Sequence, residues 1–335
     1  MPKQALFYNR EPGTDVRCRL CPHGCLIHNG KYGICRVRRN SGGKLMADSF
    51  GLVSALHFDP IEKKPLYHYF PGKVILSAGS AGCNLRCSFC QNWEISQCGI
   101  KEHGQLQPVK PEELVRMAAT KTNNIGIAYT YNEPTVFIEF VLETAKLTLE
   151  RKMKNVMVSN GYINPEPLEE LIKYTDAFNI DLKGFTDTFY RDVSGASLQP
   201  VLDTLKAIRK SGKHLEITNL IVPGLNDDHP VFEEMVKWIS TELGKSTVLH
   251  LSRYFPQYRM SQDATPVSAL QQLFDIARKH LHYVYVGNVT MNKGKDTICP
   301  KCGQILIKRL GYIADLFHIT STGQCRYCGN QVLIC

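Results

Sequence analysis

At 335 residues, 43% of them hydrophobic and 21% charged, the chain is long enough for one large domain with small appendages and too balanced for a disordered or fibrous protein. No apolar run approaches the roughly 18 residues a membrane helix needs, and the opening residues lack the apolar core of a secretory leader. The formal net charge of +9 overstates the basic surface. Many of the thirteen cysteines stand at metal-ligand spacings, and bound thiolates with their ions would lower the sum to roughly +4, a weak argument for nucleic acid. Cysteines grouped in C-x2-C and C-x3-C pairs read as metal binding in a reducing compartment, so a cytoplasmic location is expected and no membrane partner.

The first expected unit, residues 1–72, is a small cysteine-rich module. Cys18, Cys21, Cys25 and Cys35 are its candidate ligands, with His23 and His28 among them. Zinc and a second [4Fe-4S] cluster both suit this set. A cluster could relay electrons, whereas zinc would fold or dock the segment. The run Arg36-Val37-Arg38-Arg39 is short and reads as a solvated face or salt-bridge partner.

Residues 73–290 alternate strand and helix signals. Val74-Ile75-Leu76 opens the series, followed by a helix from Pro111 with proline and acidic residues in its first turn, as the helix dipole prefers. Strand signals recur at Ile125–Tyr129, Asn155–Val158, Ala177–Ile180, Leu215–Val222 and Val248–Leu251. Helical spacing recurs at Val136–Leu149, Glu166–Tyr174, Leu202–Arg209, Phe232–Leu243 and Leu270–Leu281, and Val284–Val286 closes the set. Six β/α units with apolar strands predict a parallel sheet. Periodicity alone does not separate a barrel from a doubly wound sheet.

Between the first strand and first helix stands Cys83-Asn84-Leu85-Arg86-Cys87-Ser88-Phe89-Cys90. Three thiolates at C-x3-C-x2-C can hold a [4Fe-4S] cluster and leave one iron without a protein ligand, where four cysteines would saturate it. An open iron invites a substrate or cosubstrate, as an open position does in catalytic zinc sites. Cys98 follows at a spacing unusual for a fourth ligand. Phe89 and Trp93 flank the loop and could shield a cluster, stack on adenine, or simply pack.

Residues 291–335 form the last expected unit. Cys299-x2-Cys302-Gly303 and Cys325-x2-Cys328-Gly329 are two knuckles whose glycines permit the tight turn that aims amides at sulfur. They predict a tetrahedral zinc ribbon, with a rubredoxin-like iron site as the alternative.

The three-cysteine loop resembles that of the radical S-adenosylmethionine (SAM) superfamily. Asp59-Pro60-Ile61-Glu62-Lys63-Lys64-Pro65-Leu66-Tyr67-His68, together with Gln91-Asn92-Trp93-Glu94-Ile95-Ser96, is similar to the AmmeMemoRadiSam system radical SAM enzymes, relatives of the pyruvate formate-lyase activating enzymes. The resemblance implies a (βα)6 partial TIM barrel of the α/β class, a [4Fe-4S] cluster on Cys83, Cys87 and Cys90, and SAM as cosubstrate. In that superfamily one electron cleaves SAM to a 5'-deoxyadenosyl radical that abstracts hydrogen. It also implies an electron donor such as a flavodoxin or ferredoxin, a protein or peptide substrate, and AmmeMemo-family proteins as partners.

Chemistry in parallel barrels sits at the carboxyl ends of strands, and polar residues fall there. Tyr131-Asn132-Glu133-Pro134 stands where the superfamily reads Gly-Gly-Glu-Pro, so Asn132 and Glu133 would meet the SAM ammonium, with Asn132 in place of a glycine. Ser159-Asn160-Gly161 matches the activators' Asp-Thr-Asn-Gly without its aspartate, which removes the basis for a monovalent-cation site there. Ser159 and Asn160 would face the SAM ribose or carboxylate. Asp181 and Lys183, on one side of a strand, match an Asp-x-Lys that meets SAM or the peptide, and a structural ion pair is the other reading. Arg253 could pair with a carboxylate, and His250 reads more readily as a satisfied core histidine. Three functions compete: hydrogen abstraction from a protein or peptide, radical modification of RNA or a small molecule, and a non-enzymatic metal scaffold. The scaffold leaves Glu133, Asp181 and Lys183 at strand ends unexplained.

Overall fold

The computed structural model describes residues 2–335, so residue 1 of the expected first module lies outside it. Its centre is an eight-stranded sheet. The parallel strands run Val74–Gly79, Asn124–Tyr129, Lys154–Ser159, Ala177–Asp181, His214–Ile221, Val248–Arg253 and Tyr283–Gly287. They lie side by side in chain order, each joined to the next by a helical crossover. A doubly wound sheet reverses its strand order at a switch point, so this order selects the partial barrel. The two edge strands are not hydrogen-bonded to each other among the described residues, and the barrel stays open.

The sheet takes its eighth strand from the amino-terminal part of the chain. Ala55–Pro60 pairs antiparallel with Val74–Gly79, Asp59 opposite Ile75. The expected boundary at residue 72 therefore falls between two paired strands. This strand alternates weakly and carries Asp59 and Pro60, which masks it in the sequence.

Helices follow the strands because each presents an apolar stripe to the sheet. Pro111–Ala118 starts on a proline with Glu112 and Glu113 in its first turn and buries Leu114, Val115 and Ala118. Glu113 accepts a hydrogen bond from the Lys110 amide at 3.0 Å, satisfying a donor no helix bond can reach. Ile138–Glu150, Pro165–Tyr174, Gln199–Lys210, His229–Trp238 and Val267–Arg278 complete the outer layer. A second, inner core of Ile61, Leu66, Ile75, Ala128, Val156 and Ala177 fills the amino end of the barrel.

The carboxy-terminal strands Thr297–Ile298, Ile305–Leu310 and Ile313–Leu316 form a small antiparallel sheet. It closes the same amino end. Ile334 donates its amide to the His68 carbonyl at 2.9 Å, and Arg309 reaches the Tyr67 carbonyl at 2.9 Å. No described helix is long and apolar enough to cross a membrane.

Candidate functional site

The cysteine loop leaves the first parallel strand at the barrel's carboxyl end and is fastened on every side. Gly82 donates to the Ile95 carbonyl at 2.8 Å, and Arg86 and Ser88 donate to Ser194 and Val193. Gly82 has φ +84°, and a Cβ there would come within 2.5 Å of the Cys35 carbonyl. Only glycine lets the loop lie this close to the amino-terminal cysteines.

Asn132 holds the loop from the next strand end. Its Oδ1 accepts from the Ser80 amide at 2.9 Å and its Nδ2 donates to the Gly82 carbonyl at 2.9 Å. The neighbouring Tyr131 takes the left-handed conformation, φ 72°. The strained residue is thus Tyr131, one place before Asn132. Tyr131 is secured by its hydroxyl on Asp59 at 2.5 Å and by the Lys64 ammonium over its ring at 4.5 Å.

Glu133 is buried and caps the helical turn that follows, accepting from Thr135 at 3.0 Å. It also accepts from the Ser159 hydroxyl and the Asn160 amide, both at 2.8 Å. Burial raises its pKa despite these donors. Asn160 sends its Nδ2 to the Asn84 Oδ1 at 2.9 Å and to the Cys83 sulfur at 3.7 Å. Glu133, Ser159, Asn160 and Cys83 therefore form one connected network, beside the loop backbone that Asn132 holds.

Lys183 lies opposite. Its Nζ meets Asp181 at 2.9 Å and stands 5.8 Å from the Phe89 ring centre. Burial works against the charge, but the Asp181 carboxylate and the Cys87 sulfur hold the ammonium well above its usual pKa. Burial pushes the thiols of Cys83, Cys87 and Cys90 up; Lys183 opposes this at Cys87 and Cys90. Soft donors shielded from water beside a fixed cation suit an iron–sulfur cluster, which displaces the thiol protons and brings negative charge.

Arg253 is less committed. Its Nε donates to the Thr265 carbonyl at 2.8 Å and its guanidinium lies 4.9 Å from the Phe255 ring centre. Trp93 stacks on Tyr258 at 5.3 Å, within a loop whose Arg259 amide donates to Ser88 at 3.0 Å. His250 gives its Nε2 to Glu216 at 2.6 Å, deep in the barrel, and is the satisfied core histidine. Cys98 faces the Ile95 carbonyl at 3.5 Å.

The carboxy-terminal cysteines form a compact metal centre. Cys299 and Cys328 sulfurs are 3.5 Å apart, Cys302 and Cys325 sulfurs 3.6 Å. A tetrahedral ion with bonds of about 2.3 Å places its sulfurs about 3.8 Å apart, so the four fit one ion. Among the described residues this is the one group of three or more potential ligands whose atoms all lie within 4.8 Å. Cys18, Cys21, Cys25 and Cys35 are arranged differently. They line a pocket together with His23, Arg38 and Asn84.

Sequence reasoning missed Asn84, Tyr131 and the 257–260 loop. Asn84 stood inside the cysteine run but carries no family signature. The other two act through folding contacts that spacing does not reveal.

A fold of this order with three cysteine thiols at its mouth is that of the radical SAM superfamily, whose model matches residues 79–239. The chain carries that superfamily's domain. It belongs to one family with the uncharacterized protein MJ0808 of Methanocaldococcus jannaschii, to which it is 42% identical over 333 residues, 98% of each chain. It is also homologous to the pyruvate formate-lyase-activating enzyme of Clostridium pasteurianum, 30% identical over 150 residues, 44% of this chain and 61% of that enzyme. In fold it is similar to a radical SAM methyltransferase from Sphaerobacter thermophilus, with TM-score 0.52, 14% identity, and 70% and 71% of the two chains covered.

Proposed function

We propose that the protein is a radical SAM enzyme of the activating type, which abstracts hydrogen from a protein or peptide. The observation that carries this is the three-cysteine loop at the open barrel mouth, held by Asn132 and Asn160 and faced by the Lys183–Asp181 pair. When bound, the [4Fe-4S] cluster and SAM supply the one-electron cleavage that yields the abstracting radical. Cys83, Cys87 and Cys90 would hold the cluster.

The chain's own residues do the positioning. Glu133 already spends three acceptor directions on Thr135, Ser159 and Asn160. One lone pair of its Oε2 is left for an ammonium donor. Asn132 fixes the loop backbone. Lys183 offsets negative charge at Cys87. Arg253 offers its terminal nitrogens to a carboxylate, and Phe89 shields the loop from water.

Homology to the activating enzymes supports the peptide reading, as does the unclosed sheet, which leaves room for an extended backbone. The ribbon docks at the amino end of the strands, away from the cysteine loop, so it lends little to an RNA-binding reading. Its four cysteines would hold zinc as a structural plug. The units 1–72, 73–290 and 291–335 would then be a metal module, the catalytic barrel and the plug. The enzyme would work in the cytoplasm with a flavodoxin or ferredoxin as donor.

The test is label transfer. Lysates or partner proteins grown in deuterated amino acids are incubated with reduced enzyme and SAM, and 5'-deoxyadenosine is examined by mass. Deuterium from protein supports the reading. Deuterium arriving only from labelled RNA or small molecules would overturn it.

A further inference from the structure

We propose that Cys18, Cys21, Cys25 and Cys35 bind a second [4Fe-4S] cluster, ligated by all four thiolates, which passes single electrons to the cluster on Cys83, Cys87 and Cys90. The site stands on its own residues; the relay role rests on the function proposed above.

The spacing of the sulfurs comes first. This chain contains a mononuclear site for comparison, the ribbon, with sulfurs 3.5 and 3.6 Å apart. The amino-terminal set does not converge within 4.8 Å, and neither do Cys83, Cys87 and Cys90. A four-iron cube binds each thiolate at a different iron, so its sulfurs stand further apart than around one zinc ion. By this measure the amino-terminal four group with the catalytic three. All four line one pocket.

The pocket wall suits an anionic cluster. Leu20, Ile27 and Val136 line it, with Arg38 the one permanent cation. Arg38 is 1% exposed. Its Nη1 meets Glu139 at 3.0 Å, yet its Nε has no partner among the described residues. A buried donor left over beside four thiols is accounted for by sulfur acceptors in the pocket. Four thiolates on zinc or on a [4Fe-4S]2+ core both carry net −2, so charge does not choose between them; the sulfur spacing does.

The relay follows from contact. Asn84 is bonded in the chain to Cys83 and lines the amino-terminal pocket. Its carbonyl meets His23 Nε2 at 2.8 Å, and its side chain accepts from Asn160, which also touches the Cys83 sulfur. Gly82 packs against the Cys35 carbonyl so closely that no side chain fits. The two cysteine sets are thus neighbours through residues 82–84. In the step itself, a low-potential one-electron donor of the flavodoxin or ferredoxin class reduces the second cluster from 2+ to 1+. That electron then reduces the catalytic cluster from 2+ to 1+ and the second returns to 2+. No bond or proton moves.

The experiment uses the full chain, reconstituted anaerobically, with iron and zinc counted per chain and electron paramagnetic resonance after dithionite. The native protein should hold about eight irons, and the Cys83→Ala/Cys87→Ala/Cys90→Ala variant about four. Those four should give a [4Fe-4S]+ signal that SAM does not alter. Cys21→Ser/Cys25→Ser should keep the ribbon metal and the SAM-sensitive signal, which shows that it folds. Its catalytic cluster should be reduced at least tenfold more slowly by a reduced flavodoxin. A cysteine-loop variant with no iron, whether it holds a second zinc or no second metal, would overturn the site. An unchanged reduction rate would overturn the relay. A native protein with only about four irons, all lost in Cys21→Ser/Cys25→Ser and all kept in the cysteine-loop variant, would preserve the second site and sink the radical SAM reading instead.

Discussion

Asn132 donates its side-chain amide to the Gly82 carbonyl at 2.9 Å, tying the second strand end to the cysteine loop. With its bond from Ser80, it fixes the loop from two sides. Asn132→Gly would restore the superfamily's residue, yet it removes both bonds and leaves two buried backbone groups unpaired, at about 2–4 kcal/mol. The expected outcome is lower iron retention after gel filtration, with Asn132→Ala no better. Full iron retention in Asn132→Gly would show the clamp to be dispensable.

Tyr131 carries the strain of the same turn. Tyr131→Phe keeps the backbone and ring but removes the donor from the buried Asp59 carboxylate, which Lys63 and Lys64 also hold. A drop of about 1–3 kcal/mol in unfolding free energy is expected. Tyr131→Gly should also lose stability, because relief of the left-handed conformation returns only about 1–2 kcal/mol while the ring over Lys64 goes as well. Thermal melts of the two variants check this.

These two residues show what was legible. Strands and helices could be read from periodicity because each buries one face. The three cysteine sets could be read from spacing. The replacement of a glycine by Asn132 at the Gly-Gly-Glu-Pro position was visible, but the left-handed φ belongs to Tyr131. The contacts with Asp59, 72 residues away in the chain, and with Lys64 explain how a tyrosine is kept there. Strand 55–60 was hidden for a similar reason: its apolar alternation is weak and its place is set by Val74–Gly79. The docking of the ribbon at the barrel's amino end depends on His68 and Arg309 meeting distant carbonyls, which no local pattern encodes.

Lys183 and Asp181 should be coupled. Lys183→Met leaves a carboxylate without its partner, and Asp181→Asn leaves a mostly buried ammonium; each should cost about 1–3 kcal/mol, reduced from the fully buried case because Asp181 is a third exposed. The double variant should cost less than the sum of the two singles. Deoxyadenosine formation should fall at least tenfold in Lys183→Met with iron content unchanged.

His68 makes stability depend on acid pH. Burial pushes its pKa down to about 3, and the ring lies between the Val332 carbonyl and the Tyr285 hydroxyl. The unfolded chain takes up a proton below about pH 6.5, and the folded chain does not until about pH 3. The His68 contribution is therefore complete above pH 6.5 and is lost as pH falls from there toward 3. The slope of melting temperature against pH in that window should be shallower in His68→Gln, with ribbon metal content followed in parallel.

The ribbon should be separable from the catalytic centre. Cys325→Ser should release one metal ion per chain and lower the melting temperature, since the strands that plug the barrel lose their core. Iron content should be unchanged, because the cysteine loop lies at the other end of the strands.

The most direct measurement is deoxyadenosine formation. Reconstituted protein is reduced with dithionite under anaerobic conditions, SAM is added, and the products are separated by chromatography. The native protein should yield 5'-deoxyadenosine and methionine, and Cys87→Ala neither. A spectroscopically intact cluster that yields no deoxyadenosine, with protein extract present as a source of substrate, would contradict the radical SAM reading.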